Sequence, residues 1–433
     1  MQTTMISETG PILTLTLAKS FLADNASLDL NAFVAIEEEA AEALAAFRGE
    51  LSLNGLTGLS LVTARHLSTH RGRLHLNGLS EFPAEIAESM VNHNGTLSFN
   101  GLQCLPENIA EILSRHGSGL LSLNGITDLT ETAAGAIAKH KGYLHLRGVS
   151  ELSVPVAAAL ASNNKGGLNL LALTEISVDV ATQLAKHEAP LSLGGLTYLS
   201  DAVAKALSKH AGQMLFLGGL KELDVSTAKI LSKHRGDLSL DGLAVMSDSV
   251  AAALSRHRGG LILEGLDSIP ESAAENLSAL QGDLSLNGLK DLPEAVARRL
   301  AQFKFSLTLD GLTTLSDDTA RTLGSFKCKS LSANALPDLS DLASRALAPF
   351  DGDLYLMGVT HLTDTAATAL SLRSGGVNLN GVLAVSDTVA CALARCKSWV
   401  VLLGLSEMSE QARAVLSSNK NVTVPHNPPA GKS

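Results

Sequence analysis

The chain has 433 residues and a formal net charge of -10, and is 45% hydrophobic but only 3% aromatic. Dispersed acidic charge argues against a nucleic-acid partner, which calls for a basic face. No apolar run approaches the roughly twenty residues of a membrane span, and with so few rings any core must be aliphatic.

The first 27 residues contain ILTLTL and SFLADN. They stand off the register of the remaining chain and are expected to form an N-terminal cap. No Lys or Arg precedes their apolar part, so the basic region of a secretory signal is missing. Cys104, Cys328, Cys391 and Cys396 are scattered, with no CxxC pair, as expected of thiols in a reducing compartment. Cytoplasmic placement is expected, or a surface or secreted one if a signal has been trimmed.

From Leu28 the chain repeats. LSLNG occurs at 51, 121 and 284, with close copies LHLNG at 74, LSFNG at 97 and LSLDG at 238. Numbered from the first Leu, 17 units of 23 or 24 residues fill 28–422. A fixed period of that size means a solenoid. Asn-Gly between apolar runs would ordinarily signal a hairpin. Here the next strand-like run after Asn54-Gly55 starts at Leu74, so the turn leads toward a helix instead.

Within a unit, positions 1 and 3 alternate as a short strand with one buried face. Position 5 is Gly in most units and Ala at Ala32, Ala172 and Ala335. Ala avoids positive φ, so the requirement is a small residue beneath a neighbouring coil. Position 10 is mostly Ser, Thr, Asp or Pro, often followed by an acid, which is helix-start chemistry. Apolar positions 13 and 17, with position 20, then share one helix face. A Gly near position 22 ends the helix. One such unit cannot bury its apolar face, but stacked units can.

The motif L-x-L-x-G-L-x-x-L-[SP] followed by an Ala/Leu helix, as in LSLDGLAVMSDSVAAAL at 238–254, resembles the leucine-rich-repeat family. The resemblance covers about 28–422. The family's hallmark Asn would fall at position 6, which is aliphatic here. Asn sits instead at position 4, as at Asn54, Asn77 and Asn100, closer to the unusual bacterial 23-residue classes. The resemblance implies an α/β, right-handed horseshoe solenoid with a parallel β-sheet on the concave face and helices on the convex face. It also implies a scaffold that binds protein through the concave face, and it carries over no catalytic residue.

Position 20 is His in eight units: His70, His93, His116, His140, His187, His210, His234 and His257. Rows of imidazole, with a gap at Asn163, invite a metal reading. The same position holds Phe303, Phe326 and Phe350, so a partly buried, space-filling role is favoured, with the polar tip at solvent or the last helix carbonyls. Lys139, Lys141, Lys233, Arg235, Arg256 and Arg258 crowd the helix ends. An anion-binding rim is one reading, and complementation of the helix dipole is the favoured one.

On the strand face, position 2 is usually Ser and position 4 usually Asn, Asp or Gly. Against that background stand Arg73, His75, Tyr143, His145, Arg147, Met214, Phe216, Tyr355, Met357 and Trp399. These types are enriched in binding hot spots, so they form the candidate partner site. Charge also changes along the strip, from Arg73 and Arg147 to Asp237, Asp241, Glu264, Asp283, Asp310 and Asp353, which could orient an elongated partner or reflect drift on a solvated face. The expected protein is a monomeric, non-enzymatic scaffold without cofactor or metal. A glycan-binding adhesin is the alternative. Residues 423–433 read as a disordered tail.

Overall fold

The structure, a computed structural model, describes residues 10–425 apart from 118, 163 and 164. The expectations for residues 1–9, for Asn163 and for the tail from 426 onward lie outside the described residues. The chain divides into two compact units, Met1–Gly219 and Leu220–Ser433.

Both units repeat one element order: short strand, turn, two-turn helix, turn. In the first, strand Leu51–Ser52 leads to helix Leu61–Leu67 and then to strand Leu74–His75. Strands pair in parallel with equivalent residues in register: Leu51 with Leu74, Leu74 with Leu97 and Leu97 with Leu121. The second unit repeats this with Leu238, Leu261, Leu284 and Leu307. Asn54-Gly55 is therefore no hairpin.

Each Leu rests on its counterpart in the next coil. Leu51, Leu53, Leu56 and Leu67 are all fully buried. Burying such a side chain contributes about 1.5–3 kcal/mol, and here the cover comes from adjacent coils. The glycines at position 5 permit this closeness. A Cβ on Gly78 would lie 2.3 Å from the Asn54 carbonyl oxygen and 2.5 Å from that of Leu56. No described glycine has positive φ. The requirement is close approach of backbone, as the alanines at this position suggest.

Helix starts follow the expected chemistry. Ser200 Oγ accepts from Val203 N at 3.3 Å, and Asp224 Oδ1 accepts from Thr227 N at 2.9 Å. Pro83, Pro106, Pro270 and Pro293 occupy the cap position itself and offer no side-chain bond. Replacing Ser200 with Ala is expected to cost about 1 kcal/mol, seen as a lower urea midpoint at unchanged slope.

The N-terminal segment departs from expectation. Ile12–Leu13 pairs in parallel with Ala35–Ile36, an offset of 23 residues. Thr14 caps helix Leu15–Ala23, which buries Ala18 and Phe21. Residues 12–23 are thus in register with the repeat. The strand expected at Leu28 is replaced by the 3-10 turn Leu30–Ala32, which Asp29 initiates by accepting from Asn31 N. At the other end Val422–Thr423 pairs with Val400–Val401, so the last strand runs into the segment expected as tail.

Candidate functional site

The exposed face of the sheet is built from positions 0, 2 and 4 of each coil, position 0 being the residue before the first strand Leu. Position 4 carries a ladder. Asn31 Oδ1 accepts from Asn54 N at 3.0 Å, Asn54 from Asn77 N at 3.1 Å, and Asn77 from Asn100 N at 2.8 Å. The series continues through Asn100 to Asn124 N, and through Asn124 to Arg147 N. Serines at position 2 join it: Ser98 Oγ donates to Asn77 Oδ1. Each Asn side chain therefore satisfies the backbone N–H of the following coil, the function of an asparagine ladder, at position 4 instead of 6.

At Arg147 the ladder stops. Positions 4 of the next coils are Leu171, Gly194 and Gly218, which have no side-chain acceptor to offer. On the strands of the same coils lies a groove of about 240 Å³ lined by Tyr143, His145, Leu168, Asn169, Pro190, Ser192 and Phe216. The Tyr143 ring lies across Gly167, where a Cβ would come within 2.4 Å of it. Tyr143 is half exposed and Phe216 half-buried, and Leu168, Asn169, Pro190 and Ser192 complete the lining. Asn169 Oδ1 is buried there without a hydrogen-bond partner. Burial, with the Arg147 charge beside it, lowers the His145 pKa to about 4, so the ring is neutral at pH 7.

The groove thus brings together Tyr143, His145 and Phe216 of the predicted residues. Arg147 and Met214 flank it on the same strands, outside its lining. Arg73 and His75 form a separate group with Glu50, at 3.7 and 3.4 Å from its carboxylate. In the second unit Tyr355 and Trp399 meet with ring centroids 5.8 Å apart, the indole covering Gly376. Met357 is exposed nearby in sequence, its N–H donating to Asn334 Oδ1. Asn169, Pro190 and Ser192 do not stand out in the sequence; the signal for them is the loss of Asn from position 4.

The acidic residues of the face are largely committed to the protein itself. Asp237, Asp283 and Asp353 accept from the N–H groups of Gly260, Ser306 and Gly376 at 2.7, 2.9 and 2.9 Å. Asp310 takes the ladder role toward Asn334 N at 3.0 Å. Their repetition is structural, and it accounts for the sign change along the sequence without a partner.

Parallel strands in register, helices behind them and an asparagine ladder on the turns decide the architecture. The fold is that of the leucine-rich-repeat proteins. No family model matches the chain, and no curated protein matches it. Among solved structures, a chain of the Toll–Spatzle complex of Drosophila is similar with TM-score 0.41 and 14% identity, over 82% of this chain and 46% of that one. This chain thus spans less than half of that protein. An internalin from Listeria monocytogenes is similar with TM-score 0.26 and 14% identity, over 95% and 94% of the two chains.

Within this fold the histidines are more deeply placed than expected: all eight are buried, at 0–3% exposure. They stack coil on coil. His70, His93, His116 and His140 have successive centroid distances of 5.8, 6.3 and 5.6 Å, and His187 and His210 lie 6.3 Å apart. In the second unit His234 and His257 are 6.2 Å apart. The polar tips of His70 and His140 face backbone carbonyls of the preceding coil, and none of the eight rings is open to solvent. His70 Nε2 lies 3.1 Å from Gly49 O, while Nδ1 accepts from Gly72 N at 3.2 Å, which fixes a neutral tautomer. Arg373 and Asn419, at the same position, donate to carbonyls of the preceding coil in the same way. Phe303, Phe326 and Phe350 fill the site with their rings and are fully buried. Among the described residues no group of three or more His, Cys, Asp or Glu is placed to hold a metal ion.

The basic helix ends cluster in the second unit, where Lys229, Lys233, Arg235, Arg256 and Arg258 line an open cleft. In the first unit Lys139 lies 3.9 Å from Glu111. These cations sit beside helix C-termini, whose carbonyls carry partial negative charge. Among the described residues no helix is long and apolar enough to cross a membrane.

Proposed function

We propose that this protein is a non-enzymatic interaction scaffold that binds a protein partner through the exposed face of its parallel sheet. One observation carries this reading: an aromatic-walled groove lies on that face, in a chain with very few aromatic residues. Tyr and Phe supply large contact area with few rotatable bonds, and hot spots concentrate in such rings. Repeat architecture suits the role, because side chains at positions 0, 2 and 4 can vary while the stacked Leu core stays constant.

The test is affinity capture with the wild-type chain and a Tyr143→Ala, Arg147→Ala, Phe216→Ala variant. These side chains are exposed or half-buried, so the variant should melt within a few degrees of wild type. Loss of one specifically captured protein at unchanged melting temperature supports the reading. Undiminished capture of every partner by the variant contradicts it.

A further inference from the structure

Five cations line one cleft of about 750 Å³ in the second unit: Lys229, Lys233, Arg235, Arg256 and Arg258, beside Ser232 and His234. All five are exposed, in a chain whose net charge is -10. They belong to two successive coils. Lys229 lies in the last turn of helix Val225–Leu231, with Lys233 and Arg235 just beyond it, and Arg256 and Arg258 follow helix Asp248–Leu254. Helix dipoles do not balance them. A helix C-terminus carries about half a negative charge, so two such ends offset about one of the five positive charges. The carbonyls there are also already bonded. Ser232 Oγ donates to Lys229 O at 3.0 Å, and Lys233 N and His234 N donate to Ile230 O and Leu231 O at 3.1 and 2.9 Å.

Elsewhere the fold pairs such cations. Arg115 and Lys139, at position 19, reach Glu88 and Glu111 at position 15 of the preceding coil. In the second unit Arg298 pairs with Glu294, and Arg299 with Glu271 and Glu275. Arg256 and Lys229 hold the same positions 19 and 15 in successive coils, so a lysine stands where the first unit has a carboxylate. None of the five cationic groups makes an ion pair or a hydrogen bond among the described residues. Like charges gathered without a counter-charge destabilise the folded state, and a bound anion offsets that cost.

We infer that this cleft binds a compact anion with clustered phosphate groups. The inference concerns a different surface from the sheet face and does not rest on the scaffold reading. A phosphate monoester carries about 1.5–2 negative charges at pH 7, so two or three such groups balance what the dipoles leave. Three of the five cations are arginines, whose planar forks each suit two phosphate oxygens, while the ammonium groups of Lys229 and Lys233 act as point charges. Size favours phosphates over an acidic peptide. The cleft is set on two neighbouring helix ends, and packed helix axes lie about 8–10 Å apart. Four acidic residues of an extended chain span about 13 Å, and a run of three linked phosphates is shorter.

The experiment is titration calorimetry on the full chain with three probes: inorganic tripolyphosphate, acetyl-tetraglutamate-amide, and phosphatidylcholine vesicles containing a phosphatidylinositol bisphosphate. Tripolyphosphate is expected to bind at least about tenfold more tightly than the peptide. Raising salt from about 0.05 to 0.5 M should weaken it at least about tenfold, because the cleft is open to solvent. The double variant Arg256→Gln, Arg258→Gln changes exposed side chains only, so it should fold, and it should weaken binding about tenfold or more. Arg298→Gln with Arg299→Gln removes the same charge from the same unit at paired arginines, and should leave affinity within about twofold. Vesicle binding with the same dependence on Arg256 and Arg258 also supports the inference and assigns the phosphates to a membrane headgroup. Tripolyphosphate binding without it assigns them to a soluble ligand. Tetraglutamate binding as tightly as tripolyphosphate, equal weakening in the two double variants, or no binding of either phosphate probe at millimolar concentration would each overturn it.

Discussion

The thermal midpoint of this protein is expected to fall steeply as pH drops from about 6.5 toward 4 and to be nearly flat above 7. The cause is the stacked histidines. Burial, assisted by neighbouring imidazoles, lowers His93, His116 and His234 to about 4, against an ordinary value of 6.5. His70, His140 and His257 are lowered for the same first reason, partly offset by backbone hydrogen bonds. A folded-state pKa below the unfolded one means that the unfolded chain binds more protons between the two values. Stability is then complete above the unfolded pKa and is lost as pH falls toward the folded one. A shift of that size is worth about 3 kcal/mol per group, so three such groups together rival the whole stability of an ordinary domain.

Geometry sharpens the expectation. Protonating His70 would place a new N–H at Nδ1, against the N–H of Gly72 that now donates to it. Charging two stacked neighbours would set like charges about 6 Å apart in a dry interior. The check is calorimetry from pH 8 to 4 on wild type and on His93→Phe with His116→Phe. Phe already fills this position in other coils, so the double variant should fold and retain more stability at pH 5 than wild type. A midpoint unchanged between pH 8 and 5 would show that the rings are not buried neutral.

Gly101→Val is expected to be severely damaging, as are the equivalent changes at the other position-5 glycines. A Cβ there would lie 2.3 Å from the Asn77 carbonyl oxygen and 2.6 Å from that of Leu79. Both are backbone atoms, so no rotamer change relieves the overlap, and the coils must separate at the strands Leu74–His75 and Leu97–Ser98. The expected loss is above about 4 kcal/mol, in the range reserved for such backbone and packing failures. Gly135 is the contrast. It lies within helix Glu131–Ile137, and a Cβ there would meet nothing within 4 Å. Gly135→Ala should stabilise by about 0.5–1 kcal/mol through helix propensity. Guanidinium midpoints of the two variants check the pair. Equal effects would mean that coil spacing does not depend on the glycines.

The repeat is legible in the sequence because its causes are local and recur: Leu at positions 1 and 3, a cap at 10, Ala at 14. Where one cause is absent, the period alone misleads. The segment 28–32 has Leu28 and Leu30 in place, but Asp29 draws Asn31 N into a 3-10 turn, an interaction that periodicity does not see. Conversely Thr14, Ala18 and Phe21 stand one period before Glu37, Ala41 and Leu44, and apolar spacing around them obscures the register. The ladder is hidden because its Asn does not occupy position 6 inside the turn. At position 4 the Asn Oδ1 reaches the next coil, which depends on three-dimensional offset between coils.

The groove is half legible for the same reason. Tyr143, His145 and Phe216 differ from the Ser/Asn background and draw notice as individual residues. Its remaining lining is Leu168, Asn169, Pro190 and Ser192, types that do not stand out from the strand background. The importance of those residues appears only once neighbouring coils are stacked. The aspartates mislead in the opposite sense, since their role as acceptors for the following coil also needs the neighbour to be in place.

Each coil owes its structure to its neighbours, and a synthetic peptide spanning residues 237–260 tests this directly. That segment contains one complete strand, cap and helix, with Leu238, Leu240 and Leu254 fully buried only by adjacent coils. In water its circular dichroism should be that of a disordered chain, with no cooperative melting between 5 and 80 °C, roughly the range in which domains unfold. A helical spectrum that melts cooperatively would show that the coil folds alone, and stacking would then not be what holds this protein together.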